Sequence, residues 1–293
     1  MARPLITAFL GGLFFLSAAS AQDLSDLKVE RVAANMKFTE GPVWSREGFL
    51  IFSDIPSNRL MKFTPGVGVA MYRENTGGAS GNAFDEKGRL YSCETHTGRV
   101  TRTDKKGNVE VLAEKWEGKR LNAPNDIVVS KNGHVYFTDP AFGEQADHRQ
   151  LDFFGVFMID SKGELSLVAK STGRPNGIAL SPNGKILYVS NSDEKNVRAY
   201  DLDRSGAASN ERVFLSGTDG IPGGLKLDEK GNIYLASRTL AVYSPQGKLL
   251  TSIALGDTPS NCAFGDPDFQ TLFITARTSV YRIRLDVKGA VQY

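Results

Sequence analysis

Six residues of this chain hold the same position in six similar segments: Glu40, Ser80, Asn125, Asn176, Gly223 and Ser260. If folding gathers those positions, one carboxylate, two amides and two hydroxyls converge. Taken singly, Asn, Ser and Gly also suit the turn into a strand, because short side chains bond local backbone. Glu40 does not share that explanation. It is followed by Gly41-Pro42 and then by the core-like Val43-Trp44, and a charge entering a core needs a partner. Convergent oxygens without His or Cys suit a hard divalent cation, and Ca²⁺, the first choice, accepts six to eight of them. Zinc is disfavoured, since His96, His134 and His148 show no ligand spacing; each reads as a loop or surface residue. The chain has no nucleophile elbow, phosphate loop or dinucleotide fingerprint.

The elements that must position these residues are short strands. The segments read EGPVWSREGFLIFSD from Glu40, SGNAFDEKGRLYSCE from Ser80 and NDIVVSKNGHVYFTD from Asn125. They continue as NGIALSPNGKILYVSN from Asn176, GGLKLDEKGNIYLAS from Gly223 and SNCAFGDPDFQTLFIT from Ser260. Their starts lie 40, 45, 51, 47 and 37 residues apart. Gly48, Gly88, Gly133, Gly184 and Gly231 fall at one offset, and Asp268 takes that place in the sixth, where a left-handed turn residue is expected. Third strands follow in each unit, as at Arg59–Phe63 and Arg99–Thr103, and helix signals are nearly absent. A period of about 40 to 50 residues built only of strands predicts an all-β fold, a six-bladed β-propeller. The strand near Leu27–Ala33 has no blade of its own and is expected to pair beside Val280–Leu285, closing the ring. Cys93 and Cys262 then lie in the second and sixth units, too far apart for a disulfide.

Composition agrees with one folded domain. Gly makes up 30 of 293 residues, hydrophobic residues 41%, and the formal charge is +2. So balanced a charge gives no reason to expect nucleic acid. Met1 to Ala21 reads as a secretory signal, with Arg3 its single charge, an apolar run from Leu5 to Leu16 and the small-x-small pattern Ala19-Ser20-Ala21. Residues 22–293 would form the propeller, secreted or periplasmic after cleavage and free of the membrane.

The stretches EGPVW at Glu40–Trp44, RLNAPNDIVVSKNGHVYFTDPAFG at Arg120–Gly143 and RPNGIALSPNGKILYVSNS at Arg174–Ser192 resemble the gluconolactonase, regucalcin and luciferin-regenerating-enzyme family. So do GLKLDEKGNIYLAS at Gly224–Ser237 and NCAFGDPDFQTLFITA at Asn261–Ala276. The bacterial gluconolactonases are the most similar branch, and the resemblance runs from about Glu40 to Leu285. It implies a divalent metal, usually Ca²⁺, held by Glu40 and Asn176, with Asn125 binding metal or substrate. The family's remaining ligand and favoured general base is an Asp in a P-D-G motif of the fifth blade. Here that motif reads Pro222-Gly223-Gly224. One carboxylate has therefore left the site, and the base falls to Asp219 or Asp139. The segment Ala141–Phe154 would form a lid whose His148 and Arg149 meet a polar substrate. Two functions follow: a metal-dependent lactonase acting on a sugar lactone, or an exported propeller that only binds a sugar-like ligand. Hydrolysis of another ester or phosphoester is a third outcome. A small lactone or sugar acid is the expected partner, with no protein partner required.

Overall fold

The computed structural model describes residues 27–291, so the expected signal at residues 1–21 lies outside the described residues. Six four-stranded antiparallel sheets follow one another in chain order, the first five each formed from consecutive strands. Blade 1 runs through Thr39–Ser45, Phe49–Asp54, Arg59–Thr64 and Gly68–Glu74, from the innermost strand outwards. Blades 2 to 5 repeat this pattern, their innermost strands being Ala79–Phe84, Ile127–Val129, Pro175–Leu180 and Leu225–Leu227. Blade 6 has three strands from the C-terminal end, beginning with Pro259–Gly265. Its fourth is Glu30–Ala33, paired with Ser279–Arg284. The first strand therefore closes the ring and leaves no open seam. Among the described residues, no helix is long and apolar enough to cross a membrane.

The alternation along each strand sends apolar side chains to both faces of every blade. They meet the next blade in six buried clusters, one at each blade-to-blade junction. At the junction of blades 6 and 1, Trp44 stacks on Phe273 with centroids 5.3 Å apart. Cys93 and Cys262 are free and buried in separate clusters, as the repeat arithmetic requires.

Five of the hairpin turns close as expected on Gly48, Gly88, Gly133, Gly184 and Gly231, all with positive φ. The sixth corrects the reading of Asp268. Its left-handed residues are Asp266 and Phe269, and the Phe269 N–H donates to the Asp266 carbonyl as the glycine N–H does in the other blades. The turn has the same length but begins one residue later in its segment, so the shared offset no longer applies.

Every innermost strand is irregular where it opens. Register slips occur at Glu40/Val43, Ala79/Asn82, Pro175/Ile178 and Pro259/Asn261, while Asn125 and Gly223 precede shortened strands. Such bulges re-aim side chains. Gly41 shows why the first needs glycine: its φ is +50°, and a Cβ there would lie 1.9 Å from the Ser80 carbonyl oxygen. Neighbouring strands thus converge at one end of the channel, with the six opening residues around it.

Candidate functional site

At that end lies a cavity of about 450 Å³ whose lining includes Glu40, Asn125, Asn176, His96, Glu144 and Gln145. Antiparallel order explains its makeup. The strand beside each innermost one ends where the inner strand begins, so the loops between second and third strands border the same mouth. Those loops supply His96 from blade 2 and the 3₁₀ turn Gly143–His148 from blade 3.

Glu40 forms the floor and is 9% exposed. One carboxylate oxygen accepts the Gly41 N–H at 2.7 Å and the Asn261 amide at 3.1 Å. Burial, reinforced by the negative Asp126 beneath, pushes Glu40 up to about 7 against those two donors and the more distant Lys226. Asp126 itself receives the Ile127 and Ile178 N–H groups, with Lys226 Nζ 3.9 Å away. No lysine or arginine forms an ion pair with Glu40 among the described residues. Beside it, Asn125 Nδ2 donates to Asn176 Oδ1 at 2.9 Å, and Asn176 Nδ2 donates to the Ser192 hydroxyl at 3.0 Å.

The two hydroxyls of the ring are both engaged by protein partners. Ser80 donates to Asn125 Oδ1 at 3.3 Å, while Ser260 bonds the Thr39 carbonyl and Thr275. Glu40, Asn125 and Asn176 are thus the ring members that present polar groups to the cavity. One carboxylate and two amides, with no cationic side chain on the carboxylate, match a hard divalent cation in kind. Turning the Asn125 amide about its last torsion exchanges donor for acceptor and frees both amide oxygens. Water would complete the six to eight oxygens that calcium takes.

The remaining residues singled out from sequence lie elsewhere. Asp139 is fully buried, and its two oxygens accept the Asn122 and Ala123 N–H groups at 2.9 and 2.8 Å. It ties the chain entering blade 3 to that blade's second strand, which leaves it unsuited to act as a base. Asp219 is exposed and pairs with Arg238 at 3.0 Å, and it does not line the cavity. The lid segment reaches the cavity through Phe142, Glu144 and Gln145, while His148 and Arg149 face solvent and the Arg149 guanidinium lies over the Phe154 ring. His96 is the residue that spacing missed. Its ring packs so closely on Gly78 that a Cβ there would lie 2.4 Å from it, and Arg120 Nη2 holds the His96 carbonyl at 3.0 Å.

Gly223 is closed by its surroundings. A Cβ at this position would meet the Ser260 carbonyl oxygen at 2.4 Å, an oxygen that already accepts the Gly224 N–H. Gly223→Ala is therefore expected to cost about 1–3 kcal/mol, because the contact is backbone and blades 5 and 6 must separate. Thermal unfolding checks this, and an unchanged Tm would show that the strands yield freely.

Residues 38–278 match the family described as the SMP-30/Gluconolactonase/LRE-like region. A gluconolactonase of Zymomonas mobilis is 34% identical over an alignment covering 89% of this chain and 82% of that protein. The solved structure of a gluconolactonase from Xanthomonas campestris superposes with a TM-score of 0.83 at 32% identity, covering 89% and 90% of the two chains. Regucalcin from Agrobacterium tumefaciens, described as a calcium-binding protein, shares the fold with a TM-score of 0.78 at 19% identity, covering 90% and 95%.

Proposed function

Because the chain belongs to the SMP-30/gluconolactonase/LRE-like family, we propose that it is a lactonase that opens a sugar lactone at the cavity floored by Glu40, Asn125 and Asn176. The observation that carries this reading is the buried, unpaired Glu40 carboxylate beside two amides at the mouth of the channel. The gluconolactonases of Zymomonas and Xanthomonas support the substrate class. A divalent cation, with calcium the first choice, would be held by Glu40, Asn125 and Asn176, and it supplies Lewis-acid polarisation of the lactone carbonyl.

The chain's own groups do the rest. Buried Glu40 keeps one free carboxylate oxygen towards the cavity, since its other oxygen holds Gly41 and Asn261. The Asn125 amide orients the lactone. Phe38, Ile55 and Phe142 wall the cavity and limit water. His96 takes the role that Gly223 leaves open: imidazole is suited to proton transfer near neutral pH. Water oxygen bonds to the carbonyl carbon, its proton passes to the imidazole, and the ring C–O bond breaks. The same proton then goes to the departing alkoxide, leaving the hydroxy acid. Export to the periplasm or outside the cell is part of the same proposal and rests on residues 1–21.

Acid release from glucono-1,5-lactone in a pH-stat, with calcium and then with chelator, tests the reading. A chelator-sensitive rate above spontaneous hydrolysis is expected; its absence would refute the assignment for this lactone. His96→Gln is expected to lose about 10²–10⁴ in kcat with calcium affinity retained. A variant of undiminished kcat would move the role from His96 to Glu144, the other unassigned titratable group on the cavity wall.

A further inference from the structure

The cavity described above is one half of a larger cleft. Phe38, Glu40 and Asn176 also line a second lobe of about 430 Å³, which lies over blades 5 and 6. Each lobe alone falls within the ~300–1,000 Å³ of ordinary small-molecule sites. Their charges differ. The first lobe carries Glu144 and His96, whereas the second carries Arg238 and Arg277 and no carboxylate except the shared Glu40. The Arg238 charge is engaged by Asp219 at 3.0 Å. Arg277 forms no ion pair among the described residues, and its guanidinium lies over the Phe38 ring at 5.9 Å, on the wall common to both lobes.

The backbone gives an independent sign. Arg277 sits at φ +46° in the loop between the second and third strands of blade 6, and its carbonyl accepts the Thr39 N–H at 2.7 Å. Arg277 opens a two-residue turn between Ala276 and Ser279, whereas the left-handed residues of the same loop in blades 1 and 2, Asn58 and Gly98, close four-residue loops and are of types that adopt this conformation readily. Lys195 of blade 4 shares it without lining either lobe. A long cationic side chain held in a disfavoured backbone state at a cleft wall is the kind of strain found at binding sites.

We infer that the second lobe receives an anionic substituent carried by the lactone, with Arg277 as its recognition residue, so that the preferred substrates are lactones of acidic or phosphorylated sugars. A guanidinium matches either carboxylate or phosphate. The inference rests on the lactonase reading and adds the substrate class to it.

The test compares kcat/KM for glucono-1,5-lactone, glucaro-1,4-lactone and 6-phosphoglucono-1,5-lactone in the full chain, in Arg277→Asn and in Arg277→Lys. Asparagine suits the left-handed turn, so the variant removes the charge without a new strain. The wild type is expected to favour one of the two anionic lactones by about tenfold or more, the typical worth of a charged hydrogen bond. Which one wins separates carboxylate from phosphate. Arg277→Asn should erase that ratio, largely through KM, and Arg277→Lys should retain most of it. Equal losses on all three lactones would mean that Arg277 meets the carboxylate that hydrolysis creates, and would overturn the inference. So would a ratio that Arg277→Asn leaves unmoved while gluconolactone is still opened. If the wild type opens none of the three, the lactonase reading fails and takes this inference with it.

Discussion

Glu40→Gln is expected to destroy calcium binding and lower kcat/KM by about 10²–10³, the several kcal/mol that carbonyl polarisation is worth. The same substitution should raise thermal stability above pH 7. Glutamine keeps the shape and still accepts from Gly41 N–H and the Asn261 amide, but it carries no charge to bury. Burial shifts Glu40 from 4.5 to about 7, and at 1.36 kcal/mol per unit the ionised carboxylate costs the cation-free protein about 3 kcal/mol. Activity and stability therefore move in opposite directions, as expected where a site is held at the expense of the fold. Kinetics with and without chelator, together with Tm at pH 8, give both readouts. Were Glu40 only a structural residue, both would fall together, and full chelator-sensitive activity in the variant would remove it from the site.

The ring containing Glu40 was legible because a repeat converts sequence offset into spatial position. Residues 40 to 50 apart become neighbours once each unit is a blade, and the closing strand near Ala33 follows from the same count. Side-chain direction was less accessible. Ser260 occupies a ring position yet bonds the wall, and Ser80 spends its hydroxyl on the neighbouring Asn125, choices made by bulges that no alternation pattern encodes. The lid shows the same limit: a short 3₁₀ turn has no periodic face, so Glu144 and Gln145 face inwards where His148 and Arg149 were expected. His96 and Arg277 did leave a usable signal. Both lie in loops between second and third strands, and antiparallel order places those loops at the mouth. Gly223 was legible as a departure from the family pattern. Its cause was not, because the contact with the Ser260 carbonyl joins segments 37 residues apart through backbone alone.

In the absence of divalent cations, stability is expected to fall as pH rises from about 5 to 8. Two buried carboxylates set this trend. Burial raises Glu40 from 4.5 and Asp139 from 3.8, each to about 7. The folded protein thus holds protons that the unfolded chain has released. The stabilisation is complete below the unfolded values and is lost as pH rises through about 7. At a few kcal/mol for each group, the loss corresponds to a fall in Tm on the order of 10 °C for a chain of this size. Calcium should reverse only the Glu40 share, since Asp139 is enclosed by backbone N–H groups and does not line the cavity. Below pH 7 the cation must displace a proton, so its affinity is expected to weaken by about tenfold per pH unit. The rise in Tm on adding calcium should therefore be larger at pH 8 than at pH 5.5, and Glu40→Gln should abolish it at both. Scanning calorimetry across this range, with calcium and with chelator, measures each quantity. A calcium shift of equal size at pH 5.5 and 8 would show that the cation binds without Glu40, and would move the metal site away from the channel mouth.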